Sequence, residues 1–160
     1  MVQFDKSFDE VAPLVASYHI RSSWLAISKF YNEIAKKYDS TMSVAFVLLA
    51  IDSDKGVPVT KIAPRIGMEP NSLSRLINTM ESNGTIIRSS DPEDQRKVYV
   101  QLTEKGKELR RIAIKEVFQL EKVITNNLDE SQLHTFFDVL SKIPKSLQSF
   151  KNSIKNNKLP

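Results

Sequence analysis

Residues 59–90 read VTKIAPRIGMEPNSLSRLINTMESNGTIIRSS and contain two short apolar patterns. The first ends at Gly67, which can take the left-handed conformation that closes a helix. The second starts at Pro70, whose fixed φ suits the first turn of a helix, and ends at Asn83-Gly84. Apolar residues recur at helical spacing in both patterns: Ile62, Ala63 and Ile66, then Leu73, Leu76, Ile77 and Met80. Two helices joined by a short turn that contains glycine are typical of a helix-turn-helix, although any αα-hairpin produces the same spacing.

A β-hairpin is predicted directly after the second helix. Residues 85–88 (TIIR) favour one strand, and residues 98–102 (VYVQL) alternate as a second strand with one apolar face. Between them, Asp91-Pro92 is a turn signal. A hairpin in this position is a wing. We therefore expect a mainly α fold with a small β-hairpin, in which residues of about 42–103 form a winged helix-turn-helix core.

Two helices are predicted before the helix-turn-helix. The first covers residues of about 8–38, and Pro13 opens its regular part because a proline suits the first turn. The second covers 42–52 (MSVAFVLLAID), which is nearly all apolar and is therefore expected to be buried. Either Thr41 or Ser43 supplies its cap.

Two long helices are predicted after the hairpin. One covers residues of about 104–127, and the other begins at Asp129, which with Gln132 three residues later is typical of a capping box. Pro144 is expected to kink or interrupt this last helix. Since no repeat or linker appears, we expect a single domain over residues 1–160 with about six helices.

The composition excludes several kinds of active site. There is no cysteine, which excludes disulfides, thiolate nucleophiles and thiolate metal sites. His19 and His134 are far apart in sequence, which leaves only a site of histidine with carboxylates open for a metal. No Gly-rich phosphate loop, HExxH or GxSxG motif occurs. We therefore expect a protein that is not an enzyme and that carries no cofactor or metal.

The sequence predicts neither a membrane span nor a secretory signal. The longest apolar run, VAFVLLAI (44–51), is much shorter than the ~18 residues that a membrane helix needs. The first ten residues carry acids where a signal peptide has cations, so we expect a cytoplasmic protein. The net charge of +4 is weak support for a nucleic-acid partner, because many soluble proteins are basic.

The first turns of the second helix of the pair carry candidate DNA contacts. In a helix-turn-helix such residues face the major groove, where hydroxyls and amides reach base edges or phosphates and an arginine can bind guanine with two hydrogen bonds. The candidates are Asn71, Ser72, Ser74 and Arg75. The alternative is that Asn71 and Ser72 only cap the helix and that Arg75 is a solvated surface charge.

The loop of the hairpin, DPEDQR (91–96), places acids before a cation. A wing arginine that enters the minor groove must be held extended, because a floppy side chain loses entropy on insertion. Asp94 lies two residues before Arg96 and can brace it, so that Arg96 is the contact. The alternative is a charged surface turn whose ion pair is worth less than ~1 kcal/mol.

The order of these elements and the residues at their junctions closely resemble the MarR family of winged-helix bacterial transcription regulators. The residues that carry the resemblance are Ala63, Gly67, Gly84, Asp91-Pro92, Asp94-x-Arg96 and Leu102-Thr103-Glu104-Lys105-Gly106. The motif covers residues of about 59–109, and the flanking helices match in length and order. The resemblance therefore extends over nearly the whole chain.

The resemblance implies a homodimer that binds double-stranded DNA at a pseudo-palindromic operator, most often as a repressor. The dimerisation helices would be those at about 8–38 and 104–154, whose apolar stripes exceed what one winged helix can cover. The alternative is an elaborated monomer core. The implied contacts are Asn71, Ser72, Ser74 and Arg75 to bases or phosphates, Arg96 braced by Asp94 to the minor groove, Arg88 and Lys97 to phosphates, and Thr60 and Lys61 as a backbone anchor.

Two residues depart from the family pattern. Gln95 stands where family members often carry a second arginine, which lowers the expected affinity for the minor groove. Pro64 removes one backbone hydrogen bond from the first helix of the pair. We expect that helix to start late or to be distorted, which bears directly on Thr60 and Lys61.

The resemblance also implies a small aromatic or anionic effector, bound between the dimer helices and the winged domain. The candidate wall residues combine aromatic faces with polar groups: Tyr18, His19, Arg21, Trp24 and Phe46. The alternative is that this aromatic stripe belongs to the core.

Two functions remain. One is a DNA-binding regulator whose effector shifts the population between two dimer geometries. The other is a winged-helix interaction module that no longer binds DNA. The presence of Arg75, Asp94 and Arg96 favours the first function, since loss of several of them would have favoured the second.

Overall fold

The structure is a computed structural model and describes residues 7–91, 94 and 97–155. The predicted mainly α fold with a β-hairpin wing is confirmed. The described part of the chain holds seven α-helices, against about six expected, because a short helix forms at its start. The elements are α1 (Phe8–Val11), a 3-10 turn (Ala12–Leu14), α2 (Ala16–Lys36), α3 (Met42–Ala50), β1 (Val57–Pro58), α4 (Val59–Ile66), α5 (Pro70–Ser82), β2 (Ile86–Ser90), β3 (Val98–Leu102), α6 (Glu104–Thr125) and α7 (Glu130–Lys155).

The chain divides after Glu116 into two compact units. The first unit contains the helices α1–α5, the sheet and the first part of α6. The second contains the rest of α6 and α7. None of the helices in the described ranges is long and apolar enough to cross a membrane.

The hydrophobic core of the first unit lies where α3, α4 and α5 meet the sheet. Its most deeply buried side chains are Val47, Leu48, Ile51, Ile62, Leu73, Ile77, Met80, Ile86 and Val100. The predicted alternation of β3 is confirmed, because Val100 and Leu102 are buried and Val98 is half-buried. Helices α4 and α5 therefore each bury one apolar face and leave the other face to solvent, whereas α3 has no exposed residue, as its nearly all-apolar sequence predicted.

The sheet has the strand order β1-β3-β2, and both pairs are antiparallel. Ile86 pairs with Leu102 and Ser90 with Val98, which gives the hairpin a regular register. The strand β1 was not predicted. It is only two residues long and ends at Pro58, so it carries too little alternation to be recognised, and Val57 pairs with Val100 only through the tertiary fold.

A tight turn connects α3 to β1. The Asp52 carboxylate accepts the backbone N–H groups of Lys55 at 2.8 Å and of Asp54 at 3.0 Å, and these hydrogen bonds hold the pKa of Asp52 below its ordinary value. Gly56 follows with φ at 68°. A Cβ at Gly56 would lie 2.6 Å from the backbone oxygen of Val100, so only glycine allows β1 to approach β3 here.

The positions of three prolines test the predicted helix boundaries. Pro13 lies in the 3-10 turn, and the extended conformation of Val15 (φ −112°, ψ 116°) separates it from α2, so the prediction that Pro13 opens the long helix is wrong. Pro64 lies inside α4, which begins at Val59 and so does not start late. Because proline has no backbone N–H, the Thr60 carbonyl lacks the helical hydrogen bond that residue 64 would otherwise donate. Pro144 lies inside α7 and does not interrupt it, because helical turns continue on both sides.

The predicted capping residues of α3, α4 and α7 agree with the structure. The Thr41 hydroxyl accepts the Val44 N–H at 3.3 Å and caps α3. Asp129 and Gln132 form the reciprocal capping box, with distances of 2.9 Å and 2.8 Å. Gly67 ends α4 in the left-handed conformation with φ at 66°. These local signals were sufficient because they require no tertiary partner.

Asp39, which follows α2, has a strained left-handed backbone conformation that can be tested by substitution. Asp39 has φ at 48°, and the next N–H, that of Ser40, bonds the Ala35 carbonyl at 3.0 Å. A left-handed conformation costs roughly 1–2 kcal/mol for most residues but not for glycine. We expect Asp39→Gly to be more stable than Asp39→Ala by about 1 kcal/mol in free energy of unfolding, measured by urea denaturation. Equal stability of the two variants would contradict this backbone conformation.

Candidate nucleic-acid interface

Helix α5 presents a polar face on the side opposite the core. Its buried residues are Leu73, Ile77 and Met80, and the spacing of these three turns the predicted contact residues to solvent. All four of those residues are exposed: Asn71, Ser72, Ser74 and Arg75. A face of hydroxyl, amide and guanidinium groups can form hydrogen bonds with base edges or phosphates.

The first turn of α5 tests the alternative that Asn71 and Ser72 only cap the helix. The N-cap position is Glu69, and Pro70 occupies the first turn. Asn71 and Ser72 therefore lie inside the helix and do not cap it. The Ser74 hydroxyl donates to the Pro70 carbonyl at 3.0 Å, which leaves its oxygen as an acceptor but uses its only proton.

A groove of about 420 Å³ separates α5 from the wing and the start of α4. It brings together four of the ten predicted contact residues: Thr60, Ser74, Arg88 and Lys97. Its remaining wall is Pro58, Val59, Ile77, Asn78 and Val98. Two cations and two hydroxyl side chains thus line one concave surface next to the polar face of α5.

Thr60 reaches this groove because α4 begins at Val59 despite its proline. Thr60 and Lys61 are exposed in the first turn of α4. The N–H groups of a first turn have no partner inside the helix and carry the positive end of the helix dipole. This end of α4 therefore favours an anion, and Lys61 adds a positive charge outside the groove.

Arg88 is already engaged with α5. Its guanidinium donates to the Asn78 side-chain oxygen and lies 3.3 Å from a carboxylate oxygen of Glu81. Sequence reasoning missed both partners. The spacing of Asn78 and Glu81 on one helix face was visible, and so was the strand that carries Arg88, but not that the two lie side by side. A phosphate at Arg88 must therefore share the guanidinium with these two side chains or displace them.

The wing is closed by hydrogen bonds beyond its two strands. The Asp91 N–H donates to the Lys97 carbonyl at 2.9 Å, and the Lys97 N–H donates to the Asp94 carbonyl at 2.8 Å. The Lys97 ammonium lies 3.7 Å from the Asp94 carboxylate. Arg96 lies outside the described residues, as do Pro92, Glu93 and Gln95. The brace between Asp94 and Arg96 therefore stays a prediction.

The candidate effector residues separate into two places. Trp24 stacks on Phe46, with ring centroids 6.2 Å apart and planes 16° apart. Both line a cavity of about 390 Å³ together with Leu49, Ala50, Arg65 and Ile66. Arg65, which donates to the Ala50 carbonyl at 2.7 Å, was not among the predicted residues. Nothing in the local sequence marks it, because it reaches the cavity from α4.

The other three candidates lie outside the lining of this cavity. Tyr18 packs edge-on against His19 and Phe8, with centroids 5.6 Å and 6.0 Å apart. The His19 ring is hydrogen-bonded to the Pro13 carbonyl at 2.9 Å. Arg21 is exposed. In the described ranges, no group of three or more histidine and acidic side chains is placed to hold a metal.

Known sequences resemble the winged-helix segment of this chain. Residues 41–98 match the sequence model of the MarR family. This match covers the winged-helix segment and less than half of the chain. Two curated relatives are the HTH-type transcriptional regulators SarZ of Staphylococcus epidermidis, 29% identical over 86 residues, and of Staphylococcus aureus, 30% identical over 84 residues. These alignments cover 54% and 52% of this chain and span 58% and 57% of the relatives' own length.

Solved structures of MarR-type proteins share the fold over a larger part of the chain. The transcriptional regulator SlyA aligns with a TM-score of 0.75 at 24% identity, over 82% of this chain and 92% of its own. A Staphylococcus aureus MepR–DNA complex aligns at 0.76 and 21%, over 83% and 98%. A putative MarR family regulator of Listeria monocytogenes with a 26mer DNA aligns at 0.77 and 20%, over 91% and 97%. At these identities the likeness establishes the fold.

The strength of the ion pair between the wing and α5 can be measured. The side chains of Arg88 and Glu81 are 32% and 40% exposed, so solvent screens their attraction. A double-mutant cycle with Glu81→Gln and Arg88→Gln should give a coupling energy of about 0.2–1 kcal/mol from urea denaturation. The coupling should shrink as salt is added. A coupling of zero at low salt would contradict the contact.

Proposed function

We propose that this chain is a sequence-specific double-stranded DNA-binding transcriptional regulator. One observation carries the proposal: Thr60, Arg88 and Lys97 line one groove beside the exposed polar face of α5, and the wing extends from its far side. A surface with base-reading groups next to phosphate-binding groups suits duplex DNA, whose grooves alternate with a charged backbone. The curated relatives are themselves transcriptional regulators by name.

In this proposal the first turns of α5 enter the major groove. Arg75 reads a guanine edge, and Asn71, Ser72 and Ser74 contact bases or phosphates. The adjoining phosphates lie along the groove, against Arg88, Lys97 and the first turn of α4 with Lys61. Arg96 then enters the flanking minor groove with Asp94 as its brace.

The functional unit in this proposal is a homodimer. The helices of the first unit leave large apolar side chains exposed, including Leu14 at 76% and Leu25 at 52%. In the second unit Phe118 is 64% exposed, Val123 69% and Leu147 58%. So many exposed apolar residues favour a partner surface. Two-fold packing through the helices at about 8–38 and 104–154 would present two recognition helices to half-sites one DNA turn apart, as a pseudo-palindromic operator requires.

In this proposal the regulator is a repressor that acts in the cytoplasm. A bound dimer would occlude a promoter, and an effector would release it by favouring a dimer geometry that no longer fits the groove spacing. The cavity at Trp24 and Phe46 suits a small aromatic anion, because an aromatic wall lies beside the Arg65 guanidinium.

DNA titration tests the main proposal. The purified chain should prefer the DNA upstream of its own gene over a scrambled duplex by about 10³-fold or more, with two chains bound per duplex. Affinity should fall steeply with salt. Arg75→Ala and Arg96→Ala should each weaken specific binding by roughly 1–3 kcal/mol, because each removes a base-edge or minor-groove contact.

The control for this titration is Lys55→Ala, which removes an exposed cation from the turn before β1, outside the proposed DNA interface and the proposed dimerisation helices. It should leave the preference unchanged. If the upstream DNA is not preferred, selection from random duplexes identifies the operator. If selection enriches nothing and the arginine variants bind like the wild type, the chain is a winged-helix interaction module that does not bind DNA.

Intrinsic fluorescence tests the effector cavity, because Trp24 is the only tryptophan of the chain. Benzoate should change the Trp24 emission saturably, and benzamide, its neutral analogue, should bind about tenfold more weakly because it lacks the charge-assisted hydrogen bond to Arg65. Arg65→Gln should remove this difference. Equal binding of benzoate and benzamide to the wild type would contradict an anion site.

A further inference from the structure

The C-terminal end of α5 is bonded to the beginning of α6. The last carbonyls of a helix have no partner within it. Here the Gly84 carbonyl accepts the Thr103 hydroxyl at 2.7 Å, and the Asn83 carbonyl accepts the Lys105 ammonium at 2.8 Å. The donors lie 19 and 22 residues further along the chain, so this capping is tertiary.

Thr103 holds both helices at once. Its hydroxyl donates to Gly84 and accepts the Gly106 N–H at 3.1 Å, which is the N-cap pattern of α6. Its backbone N–H donates to the Thr85 carbonyl at 3.2 Å. Thr85 is buried, and both its N–H and its hydroxyl bond the Met80 carbonyl of α5, at 2.9 Å and 2.8 Å. The end of one helix and the start of the other thus form a single hydrogen-bonded joint.

Gly106 sets how closely the two parts approach. A Cβ at this position would lie 2.0 Å from the Thr85 carbonyl oxygen, which no side chain permits. Four residues of the run Leu102-Thr103-Glu104-Lys105-Gly106 therefore have a structural role: Leu102 lies in the core, Thr103 and Lys105 bond the two residues that follow α5, and Gly106 allows the close approach.

A small tilt of α5 at this joint displaces the opposite end of the helix by a large distance. The helix has 13 residues and is therefore about 20 Å long. A tilt of 10° about its C-terminal end would move its first turn by roughly 3 Å, which is more than a hydrogen bond tolerates. The residues proposed to face the bases lie in the first two turns of α5, so their alignment depends on how the C-terminal end is held.

We propose that Thr103 and Lys105 are positioning residues that align the recognition helix α5 for its DNA site without touching DNA themselves. This inference rests on the proposed function. The joint holds the C-terminal end of α5 against the start of α6. The N-terminal turns of α5 are then presented to the bases in a single orientation. Loss of the joint should therefore lower specific affinity while leaving affinity for unrelated DNA nearly unchanged.

The test uses the full chain with Thr103→Val, which keeps the shape and removes the hydroxyl, and Lys105→Met, which removes the ammonium. Each should lower affinity for the preferred duplex about 5–10-fold, because only the fraction of molecules with α5 correctly aligned then binds it, and affinity for a scrambled duplex less than about 2-fold. Thr103→Ser should restore wild-type preference. Lys107→Met is the matched charge control, because the Lys107 ammonium bonds only Glu104 among the described contacts, and the backbone N–H that donates to the Thr103 carbonyl is kept in the variant.

Amide hydrogen exchange without DNA gives an independent measure of the joint. Thr103→Val should speed exchange of the Thr85 and Gly106 N–H groups while the core strand β3 keeps its protection. If exchange rises but the ratio of specific to scrambled affinity stays at the wild-type value, the joint is structural and the positioning role is wrong. If exchange does not rise, the joint itself is wrong. If the wild type prefers no duplex, the proposed function fails, and the positioning role fails with it.

Discussion

The burial of one face of α5 against the sheet is the constraint on which the other features depend. Leu73, Ile77 and Met80 are each 1–2% exposed and lie in the same cluster as Ile86 of β2 and Val100 of β3. A helix held this firmly on one side can leave its other side entirely polar without losing its place. The polar face, the groove and the wing all take their positions from that contact.

The features that sequence could predict are those encoded locally. The caps of α3 and α7 and the left-handed Gly67 need only neighbours within four residues. The helical face of α5 follows from the spacing of its apolar residues. For the same reason the exposure of Asn71 and Arg75 was predictable, although their partners were not.

The features that sequence missed depend on neighbours distant in the chain. The strand β1 exists because Val57 finds Val100, and two residues with a proline carry no signal of their own. Arg65 enters the aromatic cavity from a different helix than Trp24 and Phe46. Pro64 favoured a late start of α4, but the helix begins at Val59, where Ile62 and Ala63 are buried in the core. Arg88 was recognised as a cation, but Glu81 was not recognised as its partner.

The pairing of Arg88 with Glu81 has a consequence for the ionic balance of a protein–DNA complex. When a free cation of a protein meets a phosphate, the counterion held by that phosphate escapes into solution, and this release makes binding sensitive to salt. Arg88 brings its own carboxylate counterion within the chain. If it turns from Glu81 to a phosphate, the bared carboxylate takes up a cation from solution in exchange for the one that the phosphate gives up. Arg88 can then hold the backbone in register while adding almost nothing to the salt dependence.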